Sequence, residues 1–266
     1  SFNFCEVIWI LKRSLPFDFM FVIWRWLLMI LPFALWGTSM SAMAPLVKSG
    51  GPEIVAFLRL LPAGLVVIFS AFVLKRQISI SRSDWFWFVI FTIIDASLFQ
   101  IFLAKGLSQT GAGLGSVLID SQPLMVALLA RALFGDFINP IGWIGLMLGL
   151  AGIVCLGVPA DFLRHWLLLG NAVSEGSLLI HGEAWMLAAA MAMALGTVLI
   201  RFACRESDPV AVTGWHMVLG SFPILILHWF NSNSFMWPSW STFEWGLMAY
   251  SSLLGSALAY GLFFWF

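Results

Sequence analysis

The sequence has little charge. Only 10% of its 266 residues are Asp, Glu, Lys or Arg, and 13 basic residues are balanced by 13 acidic ones. Soluble domains carry about 25% charged residues, so this chain has too few charges to cover a water-facing surface. It also has no basic run to attract phosphates. We therefore expect neither a soluble globular fold nor a nucleic-acid partner.

Residues and motifs that bind metals or nucleotides are also scarce. The sequence contains three cysteines and four histidines, and none stands at CxxC or HExxH spacing. A disulfide framework and a zinc site are therefore not indicated. A phosphate-binding GxxxxGK[ST] loop and a GxSxG nucleophile motif are missing too. The sequence predicts no metal, no cofactor, no catalytic residue and no ATP-driven activity.

Apolar side chains are abundant instead. Hydrophobic residues make up 61% of the chain, with 15 Trp and 25 Phe among them. A helix that crosses a bilayer needs about 20 mostly apolar residues. Eight segments meet this requirement: 26–47, 54–74, 85–107, 110–134, 140–158, 184–204, 209–230 and 243–266. These predict an all-α, polytopic membrane protein surrounded by membrane lipid.

Basic residues predict the orientation of the chain. With the N-terminus inside, one face collects nine basic residues and the other three, and cytoplasmic loops retain Lys and Arg. We therefore expect a multi-pass protein of the inner (plasma) membrane with a cytoplasmic N-terminus. Residues 1–25 are apolar but interrupted by charge, which favours an interfacial segment; a cleaved signal peptide is the alternative. The linker 159–183 then faces outward.

A weak internal repeat recurs at a spacing of about 157 to 160 residues. The sequence LWGT at 35–38 matches ALGT at 194–197, and three single positions follow in the same order. These pairs are Pro52 with Pro209, Arg59 with His216, and Trp85 with Trp245. Five predicted spans precede the second copy, so the copies enter the membrane from opposite sides. This is the inverted repeat found in many secondary transporters.

On these residues the chain resembles the EamA-type permeases of the drug/metabolite transporter superfamily. The resemblance is carried by WGT at 36–38, Pro52 followed by FLR at 57–59, SQP at 121–123 and LAY at 258–260. Asp136 departs from the Glu that usually closes the fourth span of the family.

The resemblance implies two inverted five-helix repeats that export a small metabolite, such as an amino acid, by alternating access. The first repeat would occupy 26–158 and the second 184–266. The second would be incomplete, with three helices, so that eight of an expected ten are present. Because the sequence stops inside an apolar segment, we expect a fragment or a truncated product.

Ionisable and polar residues inside the predicted spans mark a candidate cavity. A charge at a helix centre costs about 2.5–3.5 kcal/mol on insertion scales, so such residues usually face the bundle interior. The candidate substrate-binding residues are Arg59, Asp95, Gln100, Asp120, Gln122 and His216. Alternatively, Arg59 reaches the outer interface, each Asp bonds a neighbour, and His216 serves packing rather than a proton relay.

Proline and glycine add two further expectations. Pro123 follows Asp120 and Gln122, and a proline there frees a backbone carbonyl and bends the helix. The fifth span has one glycine face, which favours helix packing. That face consists of Gly142, Gly145, Gly149 and Gly152. A homodimer is a separate alternative that the sequence leaves open.

Two other functions stay open from the sequence. An intramembrane enzyme would use Asp95, Asp120 and His216 as acid and base groups, although such enzymes normally place these groups within one or two turns of each other. A non-transporting remnant or assembly partner is favoured by the missing last spans.

Overall fold

The computed structural model describes residues 19–157, 182–231 and 237–265, and it forms eight helical rods. In chain order these are α1 (Phe19–Gly50), α2 (Pro52–Val73), α3 (Trp85–Thr110), α4 (Ala112–Phe134), α5 (Pro140–Gly157), α6 (Gly182–Ala203), α7 (Pro209–Asn231) and α8, which comprises Thr242–Ala249, Tyr250–Leu258 and Ala259–Trp265. Seven are long and apolar enough to cross a membrane, and α5 is shorter. The predicted all-α, polytopic fold is confirmed, with no strand in the described ranges.

Two predicted segments fall largely outside these residues. The interfacial segment is described only from Phe19 onward, where the chain already belongs to α1. The linker is described only from Gly182, the first residue of α6. The apolar residues 19–24 precede the single charge of Arg25, and the helix continues through them, so α1 starts earlier than the predicted span.

Three of the rods contain irregular turns. The helix α4 is interrupted at Asp120 and Ser121, which separates Ala112–Ile119 from Gln122–Phe134. In α3 and α8 the middle of the rod is a π-helix, at Thr92–Leu98 and Tyr250–Leu258. A π-helix has i→i+5 hydrogen bonds, is rare, and is frequent at functional sites. The repeat alignment brings these two π-helices to corresponding positions, a feature that the sequence did not predict.

The helices α2 and α7 pack against each other in opposite directions. Gly64 lies against Met217 and Val218, whereas Gly214 lies against Val67. Higher numbers in α2 therefore meet lower numbers in α7. A side chain at either glycine would collide with the facing helix, so glycine permits the close approach. Since α2 and α7 are corresponding helices of the two copies, this antiparallel packing is the arrangement that an inverted repeat requires.

One end of the bundle is tightly closed. Met186 of α6 is fully buried, and Gly106 of α3 and Gly115 of α4 pack on its side chain. Two single-residue links support this end. Gly51 joins α1 to α2 and Gly111 joins α3 to α4, and both have a positive φ, of 84° and 80°, which glycine adopts without strain.

At the opposite end, polar groups connect two loops, and we call this contact the polar latch (residues 74–84 with 204–208). The Asp84 carboxylate accepts hydrogen bonds from the backbone N–H groups of Glu206 and Ser207, both at 2.9 Å, and from the Ser207 hydroxyl at 2.8 Å. Arg76 pairs with Asp208 at 3.3 Å. Asp84 is buried, so its bonds are protected from water and fix the start of α3 to the loop before α7.

Cys204 is the first residue of the second loop of the polar latch. Burial raises its pKa to about 12, and the neighbouring carboxylates of Asp84 and Asp208 add to this effect. A thiol with such a pKa stays protonated at neutral pH and is a poor nucleophile. Cys204 therefore acts as a small packing residue.

At the closed end the corresponding contact is aromatic, and we call it the aromatic latch. The Trp240 ring lies against Gly50, and its Nε1–H donates to the Ser49 hydroxyl at 2.9 Å. Ser241 and Glu244 form a capping box that starts α8 directly after Trp240.

Large apolar side chains cover the outer surface of the rods. Phe69 and Trp229 are each 66% exposed, Phe243 is 74% exposed and Phe230 is 77% exposed. Exposed aromatic rings at this density are unfavourable in water and favourable in lipid. The exterior of the bundle is therefore suited to the hydrocarbon of a membrane.

Candidate functional site

Two adjoining cavities, of about 380 and 440 Å³, lie between α1, α2, α3, α4, α6 and α8. The first includes Arg59 and Asp120, and the second includes Asp95 and Thr197. Six residues line both cavities: Phe33, Trp36, Gln122, Pro123, Met193 and Tyr260. We treat the two as lobes of one central cavity, which is large enough for a small metabolite.

The break in α4 forms one wall of this cavity. Asp120 and Ser121 leave the helix, and Pro123, which has no N–H, stands in the first turn of the segment that follows. Asp120 is exposed while Ser121 is buried. An interrupted helix exposes backbone carbonyls at membrane depth, which is tolerated where it lines a cavity. The break therefore places a carboxylate and polar backbone groups at the cavity wall.

Arg59 is a buried cation held by neutral partners. Its Nε donates to the Ser256 hydroxyl at 2.8 Å, and its Nη1 donates to Gln100 Oε1 at 3.4 Å. The backbone carbonyl of Arg59 accepts a hydrogen bond from the Ser252 hydroxyl at 2.9 Å. Within the described ranges no carboxylate lies within 4.0 Å of the guanidinium. Its position is thus fixed by α3 and α8, while its charge is not neutralised by a direct ion pair.

Asp95 and His216 form a second buried contact. Asp95 Oδ2 lies 3.2 Å from His216 Nε2, and His216 Nδ1 lies 2.5 Å from the Thr213 carbonyl oxygen. The ring of Phe91 packs on the imidazole with centroids 4.5 Å apart. Gly196 of α6 lies against the Asp95 carboxylate and leaves no room for a side chain. The imidazole is therefore fixed by a hydrogen-bonding contact at Nδ1, by the nearby Asp95 carboxylate and by the packed Phe91 ring.

The two contacts are related by the repeat. Arg59 and His216 are 157 residues apart and occupy corresponding helices, α2 and α7. Each bonds the π-helix of the opposite copy, Arg59 at Ser256 of α8 and His216 at Asp95 of α3. Each copy thus contributes one buried basic side chain and one π-helix to the centre of the bundle.

The π-helix also changes the relation between Asp95 and Gln100. In a regular α-helix, residues five apart point in different directions. The wider turns after Asp95 turn the chain less per residue and bring Gln100 closer to the side of Asp95. Both are buried, and they contact His216 and Arg59 respectively. The π-helix thus explains how one rod reaches both basic side chains.

Gln122 links α4 to α6. Its amide Nε2 donates to the Thr197 hydroxyl at 2.9 Å. In the other copy Thr38, the repeat counterpart of Thr197, shares a hydrogen bond of 2.6 Å with the Tyr250 hydroxyl at the start of the α8 π-helix. Both threonines of the repeated tetrapeptides therefore make inter-helix hydrogen bonds.

The six predicted site residues occupy two kinds of position, at the cavity wall and behind it. The cavity is lined by Arg59, Asp95, Asp120 and Gln122. Gln100 and His216 do not line it, but they contact Arg59 and Asp95 from behind.

Sequence reasoning missed the aromatic walls. Trp36 packs edge-on against Tyr260 with centroids 5.4 Å apart, and against Phe263 at 5.4 Å. Phe33 extends the same cluster. In a chain with so many aromatic residues, composition could not single these out. The only signal was the presence of Trp36 and Tyr260 in the motifs that carry the family resemblance.

Only part of the predicted glycine face on α5 makes an inter-helix contact among the described residues. Gly149 lies against Leu124 of α4. Gly142 lies against Asn139 and Ile138, whose loop precedes it. A methyl group at Gly145 or Gly152 would meet no described neighbour within 4 Å, so for these two the packing role stays a prediction.

Two groups of helices that run in opposite directions around a central cavity are the architecture of many polytopic secondary transporters. The comparisons with known proteins agree. The family model described as "EamA-like transporter family" matches residues 23–158 and 180–266. The chain belongs to this family of membrane transporters.

Individual relatives give the same result. The chain is 47% identical over 242 residues to an uncharacterised transporter of Synechocystis, covering 90% of this chain and 73% of that protein. It is 43% identical over 247 residues to a WAT1-related chloroplast protein of Arabidopsis thaliana, covering 91% of this chain and 57% of that protein. A solved crystal structure with 20% identity matches at a TM-score of 0.62, over 89% of this chain and 76% of that chain. This last similarity shows the fold alone.

Proposed function

We propose that this protein exports a small polar metabolite with the charge pattern of an amino acid, by secondary transport rather than enzymatic catalysis. The observation that carries the proposal is that Arg59, Asp95 and Asp120 face one aromatic-lined cavity. An amino acid offers a carboxylate to the guanidinium and an ammonium group to a carboxylate, and such charge-assisted bonds are the strong ones. The aromatic walls suit its apolar side chain.

Arg59 is the proposed carboxylate-binding group. An arginine has five N–H donors, and among the described residues two hydrogen bonds from Arg59 are found, to Ser256 and Gln100. The rest of the fork is available to a substrate in the cavity. A bidentate bond from Arg to a carboxylate would hold the substrate in one orientation.

Asymmetric access supports alternating access as the mechanism. The cavity extends along Met193, Thr197 and Ile200 toward the end at which α6 finishes. The opposite end is filled by Met186 and the glycines around it. In an inverted repeat the two copies can exchange conformations, which opens the closed end and closes the open one.

We propose that the open end faces the cytoplasm of the inner (plasma) membrane. Basic residues of α4, α6 and the following loop lie at this end: Arg131, Arg201 and Arg205. Cytoplasmic loops retain such residues, so the N-terminus would be cytoplasmic and the substrate would enter from inside. Labelling of single cysteines introduced at Arg82 and Lys48 in intact cells tests this, since both positions are exposed and lie at opposite ends of the bundle; labelling of the Arg82 position from outside would reverse the orientation.

Export assays with Asp120→Asn test the function. Cells that express the protein are loaded with a panel of amino acids and other small metabolites, and efflux is followed by mass spectrometry. We expect export of at least one metabolite, reduced about tenfold by Asp120→Asn, which corresponds to the loss of one charge-assisted contact of about 1.4 kcal/mol. Asp136→Asn, on the exposed segment after α4, is the matched control. Unchanged efflux by Asp120→Asn at equal expression would remove Asp120 from the site.

A further inference from the structure

We propose that three arginines at the open end of the bundle bind the phosphate headgroup of an anionic phospholipid. The site consists of Arg131, Arg201 and Arg205, and we call it the arginine cluster. Arg131 lies in the last turn of α4, Arg201 in the last turn of α6, and Arg205 in the loop that follows α6. All three side chains are exposed, so a lipid of the surrounding membrane can reach them.

Each arginine of the cluster lies on an aromatic ring. The pairs, with the distance from guanidinium carbon to ring centroid, are Arg131 and Trp143 at 5.6 Å, Arg201 and Phe134 at 5.2 Å, and Arg205 and Phe202 at 4.9 Å. A guanidinium that stacks on a ring is attracted by the ring face and keeps its N–H donors at the rim of its plane. The rings therefore hold the three cations in place without neutralising them.

Ring stacking brings these pairs together. Phe134 of α4 and Phe202 of α6 stack with centroids 5.9 Å apart, and Trp87 of α3 stacks on Phe202 at 4.9 Å. Arg131 and Phe134 are three residues apart on α4, and residues at this spacing are neighbours on a helix surface. The three arginines therefore lie around one group of rings, where the ends of α4 and α6 meet the start of α3.

The arginine cluster lacks a carboxylate partner among the described residues, where no carboxylate oxygen lies within 4.0 Å of the three guanidinium groups. Two acidic residues are close along the chain but have other contacts. The Glu206 carboxylate accepts hydrogen bonds from Ser81 at 2.8 Å and from Ser83 at 2.7 Å. Asp136 contacts Arg131 through its backbone carbonyl oxygen, at 3.3 Å. The charge of the cluster is therefore available to an external anion.

A groove beside Arg131 provides space for the rest of the lipid. It has a volume of about 430 Å³, is open to the surface, and lies between the end of α4 and the start of α5. Its lining residues are Leu128, Arg131, Ala132, Gly135 and Trp143. The guanidinium is the only charged group among them. A phosphate bound to this group would leave the apolar walls for the glycerol and the upper part of an acyl chain.

The apolar surroundings favour a lipid over a free anion. Phe137, in the loop after α4, is 85% exposed, and Ile141 and Ile144 of α5 are 78% and 61% exposed. Such side chains extend into hydrocarbon, whereas Trp143 and Trp87 are of the residue type that lies at headgroup depth. Basic pockets between membrane helices bind anionic headgroups. A choline headgroup brings a positive charge that the cluster repels, so an anionic phospholipid is preferred.

Native mass spectrometry of the full chain in a neutral detergent tests the site without any transport substrate. Phosphatidylglycerol or phosphatidylcholine is added stepwise, and the Kd of the first bound lipid is measured. We expect tighter binding of phosphatidylglycerol. Arg131→Gln, Arg201→Gln and Arg205→Gln should each weaken that binding about fivefold, the effect of about 1 kcal/mol for one basic residue near a membrane surface. Equal affinity for the two lipids, or displacement of phosphatidylglycerol by inorganic phosphate at the same concentration, would overturn the proposal.

The matched control is Arg82→Gln. Arg82 is exposed and lies at the same end of the bundle, in the polar latch, so this variant loses the same charge outside the cluster and should bind phosphatidylglycerol as the native protein does. An affinity lowered equally by Arg82→Gln would show a general charge effect and overturn the site.

Thermal unfolding in detergent gives a second measurement. Excess phosphatidylglycerol should raise the Tm of the native protein and of Arg82→Gln, because a ligand of the folded state stabilises it. The increase should be smaller in the three cluster variants, and having three guards against one that does not fold. An equal increase in all of them would overturn the proposal. A native dimer that Arg131→Gln separates, without any lipid preference, would assign the groove to a second copy of the chain instead.

Discussion

The same position in the two copies holds Arg59 in one and His216 in the other. Both side chains are buried, and both contact the π-helix of the opposite copy. The partner differs: Arg59 meets the neutral hydroxyl of Ser256, and His216 meets the carboxylate of Asp95. The backbone framework is therefore repeated while the charges placed on it are not.

This difference separates two tasks. Arginine keeps its charge at every physiological pH, so its copy can provide a permanent binding group for an anion. The other copy places a histidine beside a carboxylate at the corresponding position. A duplicated scaffold thus carries a permanent cation in one half and a histidine–carboxylate pair in the other.

The loops show a similar contrast. The polar latch joins two loops at the open end with three hydrogen bonds to the Asp84 carboxylate, and the aromatic latch joins two elements at the closed end with the Trp240 ring and one bond to Ser49. Hydrogen bonds to a charged group are about twice as strong as those between neutral groups. We therefore expect the two latches to contribute different amounts to the free energy of unfolding.

The largest effect is expected from Arg59→Gln. This change removes the guanidinium charge of Arg59 and with it two or more charge-assisted bonds. Uptake should therefore fall about 100-fold, equivalent to about 3 kcal/mol. Uptake of each amino acid into vesicles measures this. Arg59→Lys keeps the charge but not the fork that reaches Ser256 and Gln100 together, and should recover only part of the loss. Full activity in Arg59→Lys would show that charge alone matters.

Asp84→Asn and Trp240→Phe sharpen the comparison of the latches. Asp84→Asn weakens hydrogen bonds at a buried charged acceptor and should lower the free energy of unfolding by about 2 kcal/mol. Trp240→Phe removes one neutral hydrogen bond to Ser49 and should cost about 1 kcal/mol. Denaturant unfolding in detergent measures both. An equal or reversed order would contradict the expected difference between the two latches.

Gly196→Ala and Gly255→Ala compare the close contacts of the two π-helices. A methyl group at Gly196 would collide with Asp95, and one at Gly255 with Ser39. Each should destabilise the bundle by about 1 kcal/mol through overpacking. Only Gly196→Ala should also reduce metabolite efflux, since only it displaces a carboxylate that lines the central cavity. Efflux at equal expression measures this; equal efflux in the two variants would count against a role for Asp95 in the cavity.

The smallest effect concerns Glu206 of the polar latch. Hydrogen bonds from Ser83 and Ser81 lower the pKa of this exposed carboxyl below its usual value. Its contribution to stability is therefore present above the usual carboxyl pKa and is lost as the pH falls through the lowered value. Glu206→Gln should slightly lower the unfolding temperature at neutral pH, with the difference disappearing in acid. A difference that grows in acid would refute the sign.

Much of the fold followed from pattern alone. Runs of about 20 apolar residues predict membrane helices, and all eight predicted spans have a helix among the described residues. The weak repeat pairs Arg59 with His216, and both side chains are buried in the centre of the bundle. The two π-helices and the aromatic cavity walls could not be predicted, because they depend on how helices pack across the bundle and leave no local signature.

The sequence by itself determined that this protein is surrounded by lipid, that it is helical and which family it resembles. These follow from hydropathy and repeated motifs, which are local properties of the chain. Only the tertiary structure decided which buried charges meet. Asp95 and His216 are 121 residues apart, and no periodicity links them; they meet because α7 of one copy packs against the π-helix of α3 in the other.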